Sequence, residues 1–374
     1  MMPLDQLLLV SALTVLATAV TGRLKVAGWI ATALYAGQLL VLVSMGSLGY
    51  AGGELSSALG ITVLGQELGW RFDALSWYFA LITIGAAFFA SFYASGEWGE
   101  KFKSQGGNLW LLNLALALNV FAMLVLLASG DFLTLFIGWE LVSWASFLMM
   151  ALAGGEALRA ALRYIVYAIG GAMAVLAGLA LVYQAAGSLQ YDAIAAAIAD
   201  MSTARVVLLF LLFTAGFGVK MGLLPLHLWQ ARAYGLTPGP GTAFLGAISS
   251  RMGLYALVVV LIQLIGLARI GAIEVPFTFL DTRQLLAWVA ALTIVLPTFT
   301  ALRQNDARML LAWHGIGQGG YMLVGLLVGD ALGSAGGLMH VFNHATYQAA
   351  LFFAVFAVVH RTGTADLNKL GGLV

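Results

Sequence analysis

Two ionisable side chains stand inside apolar stretches of this sequence, and together they could handle protons. Lys220 lies in Val206–Gln230, a stretch otherwise almost free of charge, and Glu140 is a carboxylate central to another apolar run. A charged residue at mid-bilayer costs roughly 2.5–3.5 kcal/mol on insertion scales. A carboxylate–ammonium pair that is made and broken is a proton switch, so the two residues indicate transport of charge. Two alternatives stay open: a lysine that snorkels to the interface, and a static ion pair that fixes helix packing.

Further polar residues recur in later apolar segments. Arg251 keeps its proton, so it could set the potential of a water path or pair with a carboxylate. His340 and His344 are four residues apart and share a helix face with Gln348. Their segment, HVFNHATYQ, lacks the glutamate of an HExxH motif, which favours a proton relay or a hydrogen-bonded core pair over a metal site.

A histidine in the preceding apolar segment extends this pattern. His314 lies in the glycine-rich segment LLAWHGIGQGGY, while Gln318 and Asn343 add hydrogen-bonding groups at similar depth and His227 follows Lys220. Each residue alone is weak support, since a single histidine in a helix is more often a core residue. Their recurrence predicts a hydrated polar band across the membrane midplane, formed by Glu140, Lys220, Arg251, His314, His344 and Gln348.

The composition sets the class of protein that must position these residues. The 374 residues are 62% hydrophobic and 9% charged, far from the roughly 25% charged of soluble domains. The apolar runs reach about twenty residues, which predicts an all-α polytopic membrane protein and excludes a barrel. The absence of cysteine excludes disulfides and thiolate-bound metal, and a net charge of +1 argues against a nucleic-acid partner. We expect no cleavable signal peptide.

Eleven membrane helices are expected, with a surface hairpin within 51–72 and a short interfacial helix within 186–203. The seventh span is too long for one straight helix and contains Pro225, which predicts a discontinuous helix broken near Gly222–Pro225. Such breaks occur where freed backbone is buried or lines water, and they place helix-end dipoles beside ions. The expected spans are 4–22, 26–50, 73–95, 108–128, 131–152, 157–185, 204–234, 241–267, 283–302, 305–328 and 332–360.

Basic residues alternate between the loops and so indicate an orientation. Eleven of the seventeen collect on one side and four on the other, which puts the first side in the cytoplasm and the N-terminus outside. The eleven are Arg23, Lys25, Lys101, Lys103, Arg159, Arg163, Arg232, Arg303, Arg308, Arg361 and Lys369.

From residue 70 onward, the chain resembles the antiporter-like membrane subunits of respiratory complex I, membrane-bound nickel–iron hydrogenases and Mrp-type cation/proton antiporters. WRFDALSWYFALI is similar to the third helix of that family, SGDFLTLFIGWELVSWASFLMM to its glutamate-bearing fifth helix, and GFGVKMGLLPLHLW to its broken seventh helix. DARMLLAWHGIGQGGYMLVGL and the segment from HVFNHATYQ onward resemble its tenth and eleventh helices. The resemblance implies that Glu140 and Lys220 are an interacting proton-pathway pair.

Three positions depart from the family pattern. Arg251 and Gln348 stand where lysine is usual, and His314 stands where serine is frequent. The resemblance also implies inverted five-helix repeats, with the first three helices in 1–107, a complete repeat in 108–267 and an incomplete one in 283–374. Family members usually continue through a second broken helix, so we expect this chain to be truncated on the C-terminal side.

These features together predict a proton-translocating subunit of a redox-driven complex in a prokaryotic inner membrane. Its partners would be other membrane subunits, and redox chemistry of the NADH–quinone or hydrogenase type would reside on those subunits, with no cofactor in this chain. A Mrp-type Na⁺/H⁺ antiporter subunit is the first alternative. A non-conducting scaffold is the second, favoured by Arg251 and Gln348 and opposed by Glu140 and Lys220.

Overall fold

The computed structural model describes residues 2–22, 24–47, 51–63 and 65–372, and this part of the chain consists mainly of long apolar helices. Ten of them are long and apolar enough to cross a membrane, in agreement with the predicted all-α polytopic architecture. These ten are α1 (Pro3–Thr21), α2 (Ala27–Ser44), α3 (Ala74–Ala94), α5 (Leu109–Leu127), α6 (Phe132–Ala151), α7 (Gly155–Ala186), α9 (Thr203–Met221), α11 (Gly239–Ile265), α13 (Thr282–Leu302) and α15 (Ala331–Thr362). Shorter helices connect them: α4 (Glu97–Ser104), α8 (Tyr191–Asp200), α10 (Gln230–Gly235), α12 (Leu267–Gly271) and the 3-10 turn Leu367–Lys369.

The tenth of the eleven expected spans is helix α14 (Ala307–Val328), which is less apolar than the others. Its 22 residues extend over about 33 Å, long enough to cross a bilayer. Its mean hydropathy is lowered by His314, Gln318 and several glycines. It therefore differs from the ten apolar helices named above in composition but not in length. It packs against both α13 and α15, so these polar groups lie next to protein.

Aspartate side chains set the starting points of five long helices. Each accepts a hydrogen bond from a backbone N–H in the first helical turn, which otherwise has no partner within the helix. These N-caps are Asp73 of α3, Asp131 of α6, Asp281 of α13, Asp306 of α14 and Asp330 of α15.

The connection before α3 forms two small antiparallel pairs of strands, which agrees with the hairpin expected within 51–72. Strand β1 (Glu54–Ser56) pairs with β4 (Arg71–Asp73), and β2 (Thr62–Val63) pairs with β3 (Gln66–Glu67). Helix α8 supplies the short helix expected within 186–203 and buries one apolar face. Arg23, residues 48–50 of the second expected span, and Val374 lie outside the described residues.

The seventh span is broken where the sequence predicts. Helix α9 ends at Met221, and Gly222 adopts a left-handed conformation with φ of 78° that terminates it. Helix resumes only at α10, after a turn that contains a cis Leu224–Pro225 bond. The Trp229 indole N–H donates a hydrogen bond of 2.9 Å to the Val219 carbonyl, one of the last carbonyls of α9.

Helix α11 lies at the centre of the molecule and contacts α3, α6, α9, α14 and α15. It contains two π-helical stretches, Leu245–Ser249 and Val258–Ile265, on either side of a short α-helical piece that begins at Arg251. π-Helical turns within α-helices are frequent at functional sites. The central position of α11 places Arg251 between the broken helix and α14–α15.

Candidate functional site

Lys220 is buried in the last turn of α9, with only 2% of its surface exposed. Its ammonium donates a hydrogen bond of 2.8 Å to the hydroxyl of Tyr164 on α7. The same ammonium lies 5.4 Å from the ring centre of Tyr164 and 5.8 Å from that of Trp139. A helix C-terminus and aromatic faces both stabilise a cation, so this pocket can hold Lys220 in its protonated form.

Glu140 lies on α6 and interacts with Lys220 electrostatically without touching it. Within the described residues, no ion pair of 4.0 Å or less joins the two side chains. The Glu140 Oε1 atom is buried and has no hydrogen-bond partner among these residues. The direct partner of Lys220 is therefore a phenol, while the carboxylate acts on it from a distance.

Hydroxyl groups continue from Tyr164 towards α11. The Tyr164 hydroxyl lies 3.3 Å from the Ser143 carbonyl oxygen, to which it can donate. The Ser146 hydroxyl, on the same helix as Ser143, donates to the Asn119 side chain at 2.8 Å and lies 3.4 Å from the Ser249 hydroxyl. Ser249 ends the first π-helical stretch of α11, so these groups connect the Lys220 pocket with the central helix.

Arg251 is fully buried at the centre of the molecule. Its Nη2 donates to the Gly315 carbonyl at 2.9 Å and lies 3.3 and 3.4 Å from the two ring nitrogens of His344. A Cβ atom at Gly319 would lie 3.0 Å from Arg251 Nη1, so the glycines of α14 let the guanidinium approach this helix closely. The Nε and Nη1 atoms have no hydrogen-bond partner in the described part of the chain. Two buried donors without a protein partner indicate that water solvates this part of the guanidinium.

Histidine and glutamine side chains of α14 and α15 form one hydrogen-bonded cluster beside Arg251. His314 Nδ1 lies 3.2 Å from Gln348 Oε1, and His314 Nε2 lies 3.2 Å from Gln318 Nε2. The Gln318 carbonyl oxygen lies 2.7 Å from His340 Nε2 and accepts from the Tyr347 hydroxyl at 3.0 Å. The structure thus brings together most of the predicted midplane residues of these two helices.

Two predicted residues, Asn343 and His227, lie outside both this cluster and the Lys220 pocket. Asn343 is exposed on the outer face of α15, one position before the buried His344. His227 follows the helix break, and its ring packs against that of Trp313 with the ring centres 5.8 Å apart. Across the described residues, no group of three or more His, Cys, Asp or Glu side chains could hold a metal ion.

Comparison with known proteins assigns the chain to a family. The family model described as NADH:quinone oxidoreductase/Mrp antiporter, TM, matches residues 129–374. The chain belongs to this family. It is an integral membrane protein, and every predicted site residue falls within the matched segment.

Relatives of this antiporter-like chain carry two kinds of name. The NADH-quinone oxidoreductase subunit N of Desulforudis audaxviator is 33% identical over 276 residues, which cover 74% of this chain and 53% of that protein. A Na(+)/H(+) antiporter subunit of Alkalihalophilus pseudofirmus is 30% identical over 254 residues, which cover 66% of this chain and 48% of that protein. The chain therefore spans about half the length of the curated relatives it matches.

Solved structures of the family share the fold. An archaeal membrane-bound sulfane sulfur reductase complex contains a chain with a TM-score of 0.87 and 27% identity, matched over 100% of this chain and 59% of its own. Respiratory complex I from Thermus thermophilus gives a TM-score of 0.78 at 23% identity, over 97% of this chain and 73% of the other, which supports the fold alone.

Several tyrosines of this antiporter-like site carry no charge and so give no signal in the sequence. Tyr164 and Tyr347 hydrogen-bond directly to the predicted residues Lys220 and Gln318. The Tyr78 hydroxyl of α3 donates to the Leu338 carbonyl at 2.7 Å and accepts from the Phe342 N–H at 3.1 Å, within α15. Tyrosine in an apolar helix is usually a packing residue, and the only available signal was its recurrence among charged neighbours.

Proposed function

We propose that this chain is a proton-translocating, antiporter-like subunit of a larger, redox-driven membrane complex. The observation that carries the proposal is Lys220, a fully enclosed ammonium at the end of a broken helix, held by Tyr164 and influenced by Glu140. Buried ionisable groups in membrane helices are costly and usually mark ion pathways. The family membership supports this function.

In the proposed mechanism, a redox or ion event in a partner subunit moves Glu140 relative to Lys220. Removal of the carboxylate leaves the ammonium with a neutral phenol, which weakens its hold on the proton. The proton leaves along water and hydroxyl groups, and the return of Glu140 favours protonation of Lys220 again. Electron transfer takes place on partner subunits, and this chain contributes only the proton route.

The proposed route continues from Lys220 through α11 to the cluster of α14 and α15. Arg251 keeps its proton, so it orients water and sets the electrostatic potential there, while His314 and His344 relay protons. Gln348 positions His314 through their 3.2 Å contact. We assign supporting roles to His227, His340, Asn343 and Gln318.

We further propose that 108–267 forms the complete ion-handling repeat and 283–374 part of a second one, preceded by the three helices in 1–107. The chain would lie in a prokaryotic inner membrane with its N-terminus outside and its basic loops in the cytoplasm, as the distribution of lysine and arginine suggests. Its partners would be other membrane subunits, in keeping with the multi-subunit complexes that contain its structural neighbours.

Substitution of Lys220 by alanine in the assembled complex tests this function. We expect proton pumping into inverted membrane vesicles to be abolished while the complex still assembles. Lys369→Ala is the matched control, because Lys369 is an exposed lysine that pairs with Asp366 at 3.6 Å, far along the chain from the pathway. Normal pumping by an assembled Lys220→Ala complex would refute the role of Lys220.

A Na⁺/H⁺ antiporter subunit is the second candidate, favoured by the 30% identity with the Alkalihalophilus pseudofirmus protein. The two functions differ in their driving force. A redox-driven subunit pumps protons when an electron donor is supplied and does so without sodium, whereas an antiporter moves protons only against a sodium gradient. Proton movement in donor-energised and in sodium-loaded vesicles therefore separates them.

A further inference from the structure

A groove runs along the outer surface between α3 and α15, on the side of both helices away from the proton route. Its apolar part has a volume of about 540 Å³ and is lined by residues of α2, α3 and α15, including Leu39, Gly85, Phe89, Ala349 and Phe353. Apart from the neighbouring backbone of α3 itself, no atom of the described residues lies within 4 Å of the Cβ position at Gly85, so this glycine opens the groove.

A second hollow of about 480 Å³ continues the groove at the C-terminal ends of the two helices. The two hollows meet where Tyr93, which lines the second, packs against Phe353, which lines the first, with ring centres 5.0 Å apart. The second hollow is lined by Trp29, Trp98 and Arg361, so the groove changes from apolar to amphipathic along its length. Tryptophan side chains of this kind settle at the headgroup level of membranes.

The groove has the length of one lipid leaflet. Its apolar lining on α15 extends from Phe342 to Phe353, and the eleven steps between these residues rise by about 16 Å. The hydrocarbon core of a bilayer is about 30 Å thick, so one leaflet contributes about 15 Å. The amphipathic hollow follows directly where the headgroups of that leaflet would lie.

The charges at the amphipathic end are complementary to a phosphate. Arg361 is exposed there, and the Lys101 ammonium donates a hydrogen bond of 2.6 Å to the His360 carbonyl beside it. Glu97 contributes one negative charge to the same hollow, so the two cations leave a net positive charge. A guanidinium binds phosphate oxygens in a bidentate manner.

We propose that this groove is a binding site for one phospholipid of the cytoplasmic leaflet, with an acyl chain between α3 and α15 and the phosphate at Arg361. A tail gains little by moving from bilayer to groove, because both are apolar. The preference for a bound phospholipid over bulk lipid therefore comes from the phosphate contacts and from the fit of the acyl chain beside Gly85. The site is separate from the Lys220 pathway, so its test does not depend on the proposed proton transport.

Native mass spectrometry of the purified, delipidated protein, titrated with palmitoyl-oleoyl phosphatidylglycerol, tests the site. Arg361→Ala and Gly85→Leu should each weaken the tightest lipid-binding step by about tenfold, as loss of a charged hydrogen bond or of the space for the tail requires. Arg303→Ala, another exposed arginine of the same predicted side, and Gly170→Leu, another glycine with open space around it, should change binding less than twofold.

A phosphatidylglycerol with a photoreactive group at the end of its tail locates the site independently of any variant. We expect it to label wild-type peptides that contain Gly85 or Ala349. Unchanged lipid affinity of Gly85→Leu, or labelling confined to other helices, would overturn the proposal. Cross-links from this groove to a second polypeptide instead of lipid would also overturn it, because they would identify a protein occupant.

Discussion

Replacement of Tyr164 by phenylalanine should reduce proton transport, because the Tyr164 hydroxyl is the side-chain hydrogen-bond partner of Lys220. The two residues are 56 positions apart, and their 2.8 Å contact joins α7 to the end of α9. Phenylalanine keeps the ring that packs on Trp229 at a centroid distance of 4.5 Å. The substitution therefore removes one polar atom and leaves the shape of the pocket largely intact.

The size of the effect follows from the charge on Lys220. A hydrogen bond to a charged group contributes about 1.5–3 kcal/mol, which corresponds to a tenfold to roughly hundredfold change in an equilibrium. Loss of this bond disfavours protonated Lys220 by that factor. We expect the initial rate of proton uptake to fall at least about tenfold at neutral pH. More acidic buffer should restore part of the rate, because a higher proton concentration repopulates the ammonium form.

Inverted membrane vesicles that contain the assembled complex provide the assay. Quenching of a pH-sensitive acridine dye reports proton uptake, while electron transfer is followed separately in the same vesicles. Tyr167→Phe is the matched control, since Tyr167 lies one turn further on α7 and has no side-chain hydrogen bond among the described contacts. Wild-type pumping by Tyr164→Phe, or an equal loss in Tyr167→Phe, would refute the assignment of Tyr164 as the partner that holds the charge.

Two further predictions concern stability. Gly138→Ala should lower the melting temperature, because the added Cβ would lie 2.6 Å from the backbone of Leu126 and force α5 and α6 apart. Gly170→Ala is the control: the space around Gly170 is open, so this substitution should leave the melting temperature unchanged. Burial alone would raise the pKa of Asp306, but hydrogen bonds from the Arg308 side chain and its charge outweigh burial and hold the pKa below 3.8. The resulting stabilisation is present above that pH and is lost as the pH falls through the lowered pKa. Asp306→Asn should thus melt lower than wild type at pH 7 and match it in strong acid; a constant difference at all pH values would contradict this origin.

Local signals in the sequence were sufficient to predict the architecture. Apolar runs determine the spans, and the break in the seventh span follows from Gly222 and Pro225, whose backbone restrictions do not depend on distant contacts. Lys220 and Arg251 were identifiable for a similar reason, because a charge in an apolar run is conspicuous in any fold.

The hydrogen-bond partners of these charges could not be predicted from the sequence. Lys220 interacts electrostatically with Glu140, the partner that the sequence indicated, but its direct hydrogen bond goes to the neutral Tyr164 on another helix. The orientation of Asn343 also depends on which face of α15 meets α14, and helical spacing from His340 does not decide this. Both features follow from the packing of helices that are far apart in sequence.

Four buried polar atoms around the site have no hydrogen-bond partner among the described residues: Glu140 Oε1, Gln230 Oε1, and Nε and Nη1 of Arg251. Each buried donor or acceptor without a partner costs about 1–3 kcal/mol, so four of them would cost roughly 4–12 kcal/mol in a dry interior. That is comparable with the entire stability of a typical domain, about 5–15 kcal/mol. Water bound to these atoms would remove the cost, and Arg251 could then serve the proposed proton route while keeping its own proton, since it needs only to orient the water.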